Sequence, residues 1–177
     1  MKIAILGYAG SGKSTLARTL GELYGVPVLH LDAVQFLPDW QERPKDEQLA
    51  IVRDFMDSNN GWVIDGNYSD LLQQRRLEEA DKVVFLLFNR FSALARVAKR
   101  YRRYRGQSRP DMAEGCSEKL DAEFVRWVLW EGRSAKKRAG FERKRKLYGD
   151  KCAVLKTQRQ IDRWLENERR KQHAGSL

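Results

Sequence analysis

Five short apolar runs punctuate the chain, at residues 3–6, 28–31, 62–65, 83–88 and 152–156. Between them, apolar residues recur at helical spacing. Leu16, Leu20 and Leu23 share one face of a helix that Gly25-Val26-Pro27 ends near Tyr24. Leu49, Val52, Phe55 and Met56 do the same over a helix predicted at 45–58. Further helices are predicted at 69–80, at 92–104, around Phe124, Val125, Val128 and Leu129, and at 158–170, with 171–177 frayed. Short strands alternating with helices predict an α/β fold, with a central parallel five-stranded sheet covered by helices on both faces. Ligands in such sheets bind beyond the carboxyl ends of the strands. Asp32 and Asp65, each closing an apolar run, stand at that edge.

The first run leads directly into Gly7-Tyr8-Ala9-Gly10-Ser11-Gly12-Lys13-Ser14, which spells the phosphate-cradling loop G-x-x-x-x-G-K-[ST] between a strand and a helix. A polyphosphate needs several backbone N–H donors converging at the positive end of a helix, and glycines let the main chain approach closely enough to supply them. Lys13 adds a point charge at the β- and γ-phosphates. Ser14 is suited to offer its hydroxyl to Mg²⁺, which takes its other ligands from water, phosphates and one or two carboxylates. Thr15 follows at the helix start. ATP and Mg²⁺ are the expected cofactors.

With 177 residues and 42% hydrophobic content, one compact domain over 1–177 is expected. No apolar stretch is long enough to cross a bilayer. Met1-Lys2-Ile3 runs straight into the first strand, so the reading is a cytoplasmic protein without a cleavable leader. Cys116 and Cys152 form no C-x-x-C pair and read as reduced, inert thiols. The net charge of +10 is unevenly spread: residues 1–88 hold 9 Lys+Arg against 13 Asp+Glu, and residues 89–177 hold 25 against 11. Two runs, at 90–109 and 133–146, supply most of the excess. Such runs suit a polyphosphate, a nucleic-acid backbone or simply solvent.

Phosphoryl transfer asks for a placed metal, neutralised γ-phosphate charge and an oriented acceptor. Asp65 suits the metal and Asp32 the acceptor hydroxyl, although spacing alone allows the two roles to be exchanged. Arg100, Arg103 and Arg109 are the preferred cations for the transferring group, since a guanidinium binds phosphate oxygens bidentately. Arg43, Lys45 and Arg53 border the proposed acceptor side, with Phe36, Trp40 and Tyr68 as candidate pocket walls. His30 reads as a packed strand-end residue, and Trp127 and Trp130 as core.

The combined pattern resembles the adenylate-kinase-like and shikimate-kinase-like group of small P-loop kinases over nearly the whole chain. Within it, His30-Leu31-Asp32, the stretch Trp62-Val63-Ile64-Asp65-Gly66-Asn67-Tyr68 and the stretch Arg109-Pro110-Asp111-Met112-Ala113-Glu114-Gly115-Cys116 are similar to a branch often labelled DNA topology modulation proteins. The resemblance implies a three-layer P-loop fold, an acceptor-side segment near 33–60 and a mobile lid near 100–118. It also implies that Asp32 holds an acceptor hydroxyl and that Arg109-Pro110 engages phosphate. Adenylate kinases carry Asp-Gly-Phe-Pro-Arg where this chain has Asp65-Gly66-Asn67-Tyr68-Ser69. The missing Pro and Arg argue against AMP as acceptor. In the group, adenine lies between a lid-base Arg and the loop after the last strand, here Arg103 and Thr157-Gln158-Arg159.

The leading expectation is an ATP- and Mg²⁺-dependent kinase acting on a small nucleotide-like or hydroxyl acceptor, with no membrane partner. The alternatives are a nucleotide-regulated DNA-binding protein using the basic half and a P-loop ATPase coupled to a partner protein.

Overall fold

The computed structural model describes residues 1–107, 111–113, 115–118 and 120–174. Arg109 and Pro110, on which part of the lid expectation falls, lie outside the described residues. The predicted strands are present as β1 (Lys2–Gly7), β2 (Val28–His30), β3 (Trp62–Asp65), β4 (Lys82–Leu86) and β5 (Cys152–Leu155). All neighbours pair in parallel, in the order β2-β3-β1-β4-β5.

Alternating side chains of these strands build two apolar layers. Ile3 and Ile5 of β1, with Val63 and Val84, pack against Leu16, Ala17 and Leu20 of α1 (Lys13–Tyr24) and Ile161 and Leu165 of α8 (Gln158–Ala174). Ala4 and Leu6, with Ile64 and Phe85, face the other way. They meet Val34 of α2 (Leu31–Gln35), Val52 and Met56 of α3 (Lys45–Ser58), Leu77 of α4 (Gln73–Glu79) and Phe141 of α7 (Ala135–Leu147). The sheet is therefore the middle of three layers. A smaller cluster joins Ala93 and Val97 of α5 (Arg90–Tyr104) to Val128 of α6 (Ala122–Leu129).

Several expectations need correction. Asp32 does not end a strand: β2 stops at His30 and Asp32 lies in the first turn of the short α2. The helix predicted at 69–80 covers only 73–79, entered through Leu72 in the left-handed region at φ 50°. Residues 171–174, expected to fray, continue α8, and Lys171 there pairs with the buried Glu168. Trp127 and Trp130 are 41% and 57% exposed, so they lie beside the stripe that Val128 and Leu129 bury and are not core residues.

Glu168 sits under the sheet, accepting from the Tyr24 hydroxyl at 2.5 Å and from Lys82 at 3.0 Å. Burial pushes its pKa up, but the bonds from Tyr24, Lys82 and Lys171 outweigh that and hold it below the usual glutamate range. A depressed carboxylate stabilises the fold fully above its unfolded pKa and loses that contribution as pH falls through the folded value. Glu168→Gln is therefore expected to flatten the acid limb of a stability-versus-pH curve from urea titrations, while wild type weakens steeply below about pH 4.5.

Candidate active site

Parallel pairing brings the carboxyl ends of β2, β3, β1 and β4 to one edge, with Asp65 in register with both Ile5 and His30, and Gly7 beside Leu86. The P-loop leaves that edge from β1. Gly10 and Gly12 take φ 72° and 93°, and a Cβ on Gly10 would stand 2.6 Å from the Ala93 carbonyl oxygen, so only glycine fits there. The Tyr8 carbonyl gathers the loop, accepting from Ser11 N at 3.3 Å, Ser11 Oγ at 2.7 Å and Lys13 Nζ at 3.3 Å. Ser14 and Thr15 lie in the first turn of α1, whose N-terminal amides supply the anion-binding end.

Ser14 Oγ donates to Asp65 Oδ2 at 3.1 Å, joining the two residues expected to hold Mg²⁺. A hydroxyl and a carboxylate, both hard oxygen donors next to a phosphate loop, fit a cation that completes its shell with phosphate and water. His30 Nδ1 donates to the other oxygen, Oδ1, at 2.5 Å. Burial lowers the His30 pKa, but the bond and charge of Asp65, helped by Asp111, leave it raised overall. His30 thus does more than pack at a strand end: it fixes the Asp65 carboxylate.

The segment after β3 ties the P-loop to α2. Asn67 clamps Gly7 from both sides, Oδ1 accepting from Gly7 N at 3.0 Å and Nδ2 donating to Gly7 O at 2.7 Å. Tyr68 donates its hydroxyl to Asp32 Oδ1 at 2.8 Å, and burial with the Asp32 charge raises the phenol pKa. Two buried α4 side chains hold this segment: Gln73 donates to Asn67 O at 2.9 Å, and Arg76 to Leu71 O at 2.8 Å and Tyr68 O at 2.6 Å. Arg43 donates to Val34 O at 3.0 Å, Lys45 pairs with Asp70, and Arg53 is exposed. Phe36 and Trp40 stack edge-on at 5.2 Å.

Of the expected cations, Arg100 is paired with the buried Glu118 at 2.6 Å and so ties α5 to the segment expected as a lid. Arg103 is exposed beside the Tyr104 ring, and Arg159 is exposed at the start of α8. Two arginines that the charge runs did not distinguish lie closest to the loop. Arg96 donates to Ser11 O at 3.1 Å, bonds Gln158 and covers the Phe88 ring at 4.5 Å. Arg133 donates to Phe88 O at 2.6 Å and Val128 O at 2.8 Å and lies 4.0 Å over the Tyr8 ring. The segment expected as a lid touches the one expected on the acceptor side through Cys116 Sγ, which donates to Leu37 O at 3.3 Å. Among the described residues no cluster of three or more His, Cys, Asp or Glu could hold a metal by itself, and no helix is long and apolar enough to cross a membrane.

A phosphate loop on the first strand of a five-stranded parallel sheet, ordered 2-3-1-4-5, defines a P-loop protein with a kinase-type fold. The chain belongs to the AAA domain family, whose profile matches residues 3–126. Shikimate kinase from Bacteroides thetaiotaomicron shares the fold, with a TM-score of 0.53 and 17% identity over 100% of this chain and 99% of that one. Shikimate kinase from Acinetobacter baumannii, in complex with shikimate, gives 0.51 and 19% over 88% of this chain and 83% of that one. Deoxyadenosine kinase from M. mycoides, with dCMP and dCDP bound, aligns more loosely, at 0.48 and 15% over 94% and 98%. At these identities the likeness is one of fold. No protein of curated function matches the chain in sequence.

Proposed function

We propose that this chain is a kinase that passes the γ-phosphoryl of ATP to a hydroxyl of a small acceptor, nucleotide-like or not. The observation that carries the reading is the Ser14–Asp65 contact beside Lys13, with Asp32 held by Tyr68 on the acceptor side of the same edge. Lys13 and the α1 amides neutralise the phosphates. Ser14 and Asp65 would hold Mg²⁺, which supplies charge at the β- and γ-oxygens when bound. Asp32 orients the acceptor hydroxyl and accepts its proton as the O–P bond forms and ADP leaves. Arg96 and Gln158, next to Ser11 and Gly12, are better supported for the nucleotide base than Arg103 and Arg159. Arg103 and Arg109 remain lid candidates for the transferring phosphate, carried by sequence alone. A single domain, with an acceptor segment at 33–60, a lid at 100–118 and a cytoplasmic setting, belongs to the same reading.

Two variants test the division of labour between the carboxylates. Asp32→Asn is expected to lower kcat about 10²- to 10⁴-fold without changing the Mg²⁺ concentration at half-maximal rate. Asp65→Asn is expected to raise that concentration. The opposite pattern would exchange the roles.

A second reading, binding of nucleic acid, is favoured by one observation. Most cations of α7 are exposed, and the exposed Trp127 lies under Lys137 Nζ at 3.4 Å, so cations and an aromatic face share a surface. Arg133 is excluded from the test because it supports Tyr8. Replacing Lys136, Lys137, Arg143 and Lys144 by Gln spares a kinase, whereas a DNA binder loses an affinity that falls steeply with salt.

A further inference from the structure

On the α7 side of the P-loop lies a cavity of about 260 Å³. Tyr8, Leu87 and Phe141 form its apolar wall, the Tyr8 and Phe141 rings meeting edge-on with centroids 5.4 Å apart. Arg138, Arg145 and Lys156 reach it from two separate elements, α7 and the end of β5. The two arginines flank Phe141 along the helix at spacings of three and four, so they belong to the stripe whose centre is buried against the sheet. Glu142 is the one acid at the rim, and its carboxylate is engaged by Arg145 at 2.8 Å. Among the described residues, neither Arg138 nor Lys156 has a carboxylate partner. The lining therefore carries two cations more than acids around an aromatic wall.

Like charges gathered at one opening repel one another, and an anion removes that repulsion. Guanidinium forks suit phosphate oxygens, and rings beneath them suit a flat apolar body. The volume is that of a small metabolite rather than of a nucleoside triphosphate. We propose that this cavity, which shares Tyr8 with the P-loop but none of the other loop residues, is a second anion site that takes a small organic phosphate with an aromatic or apolar body. Arg138 and Lys156 hold its phosphate, and Tyr8, Leu87 and Phe141 receive its body.

Isothermal titration with phenyl phosphate tests this, with inorganic phosphate and benzyl alcohol as the separate halves of the probe. Phenyl phosphate also has access to the P-loop, so the titration is repeated on Lys13→Ala. Wild type and Lys13→Ala are expected to bind it equally and more tightly than either half. The double variant Arg138→Gln/Lys156→Gln is expected to bind at least tenfold more weakly. Both replaced side chains are exposed, so an unchanged melting temperature and unchanged ATP binding would confirm that the double variant is folded. Undiminished binding by the folded double variant, or loss of binding on Lys13→Ala, would overturn the proposal. The readout is binding alone, so it stands or falls independently of the kinase reading.

Discussion

Lys13→Ala is expected to lower phosphoryl transfer from ATP by about 10³-fold or more, which corresponds to about 4 kcal/mol at the transition state. The γ-phosphoryl gathers its charge over three oxygens during transfer, and in the proposed reaction the α1 amides and the Lys13 ammonium meet it. That ammonium donates to the Tyr8 carbonyl at 3.3 Å, inside a loop held also by Ser11 and by the Asn67 clamp on Gly7. The Ser11 bonds and the Asn67 clamp remain when the lysine's bond to Tyr8 is lost, so the melting temperature is expected to stay within about 2 °C of wild type. Steady-state rates beside thermal denaturation separate the two effects.

Arg76→Ala is expected to destabilise the fold by about 3–5 kcal/mol, read from the urea midpoint at unchanged slope. The Arg76 side chain is 0% exposed, and its guanidinium spans the carbonyls of Tyr68 and Leu71. Burial pulls its pKa down to about 10 against the pull of Asp65 and Asp70, so it stays cationic at neutral pH. Truncation leaves two carbonyls without donors and a void as large as the side chain. Because Tyr68 presents its hydroxyl to Asp32, the damage reaches the acceptor side: kcat is expected to fall while ATP affinity holds. Arg76→Lys restores the charge but offers one compact head in place of a fork, so it is expected to recover stability only in part.

How far the chain could be read in advance differs from element to element. The first strand and the P-loop were legible because a short motif dictates both backbone and chemistry, and α3 was legible because four apolar residues mark one face over 45–58. The helix α7 gave no such signal: it has a single buried apolar anchor, Phe141, among charged residues, and so showed itself only as a basic run. The amphipathic stripe of α6 was legible, and Val128 and Leu129 on it are buried, but apolar character alone did not tell that Trp127 and Trp130 beside it stay exposed. Within the site, Asp32 and Asp65 stood out as acids closing apolar runs. Arg96 did not, because eight cations between 90 and 109 look alike until the fold brings one against Ser11. Asn67 and Arg76 act through backbone carbonyls and amides distant in sequence or hidden from solvent, which composition and spacing do not register.

The central claim is that phosphoryl leaves ATP for a small acceptor rather than for water. Its most direct test is mass spectrometry of pooled nucleosides, nucleoside monophosphates and small hydroxyl metabolites incubated with ATP, Mg²⁺ and the protein, with Lys13→Ala as control. One compound gaining the mass of a single phosphoryl group in the wild-type reaction alone is the expected result. ADP accumulating in step with inorganic phosphate, with no compound gaining mass, would contradict it.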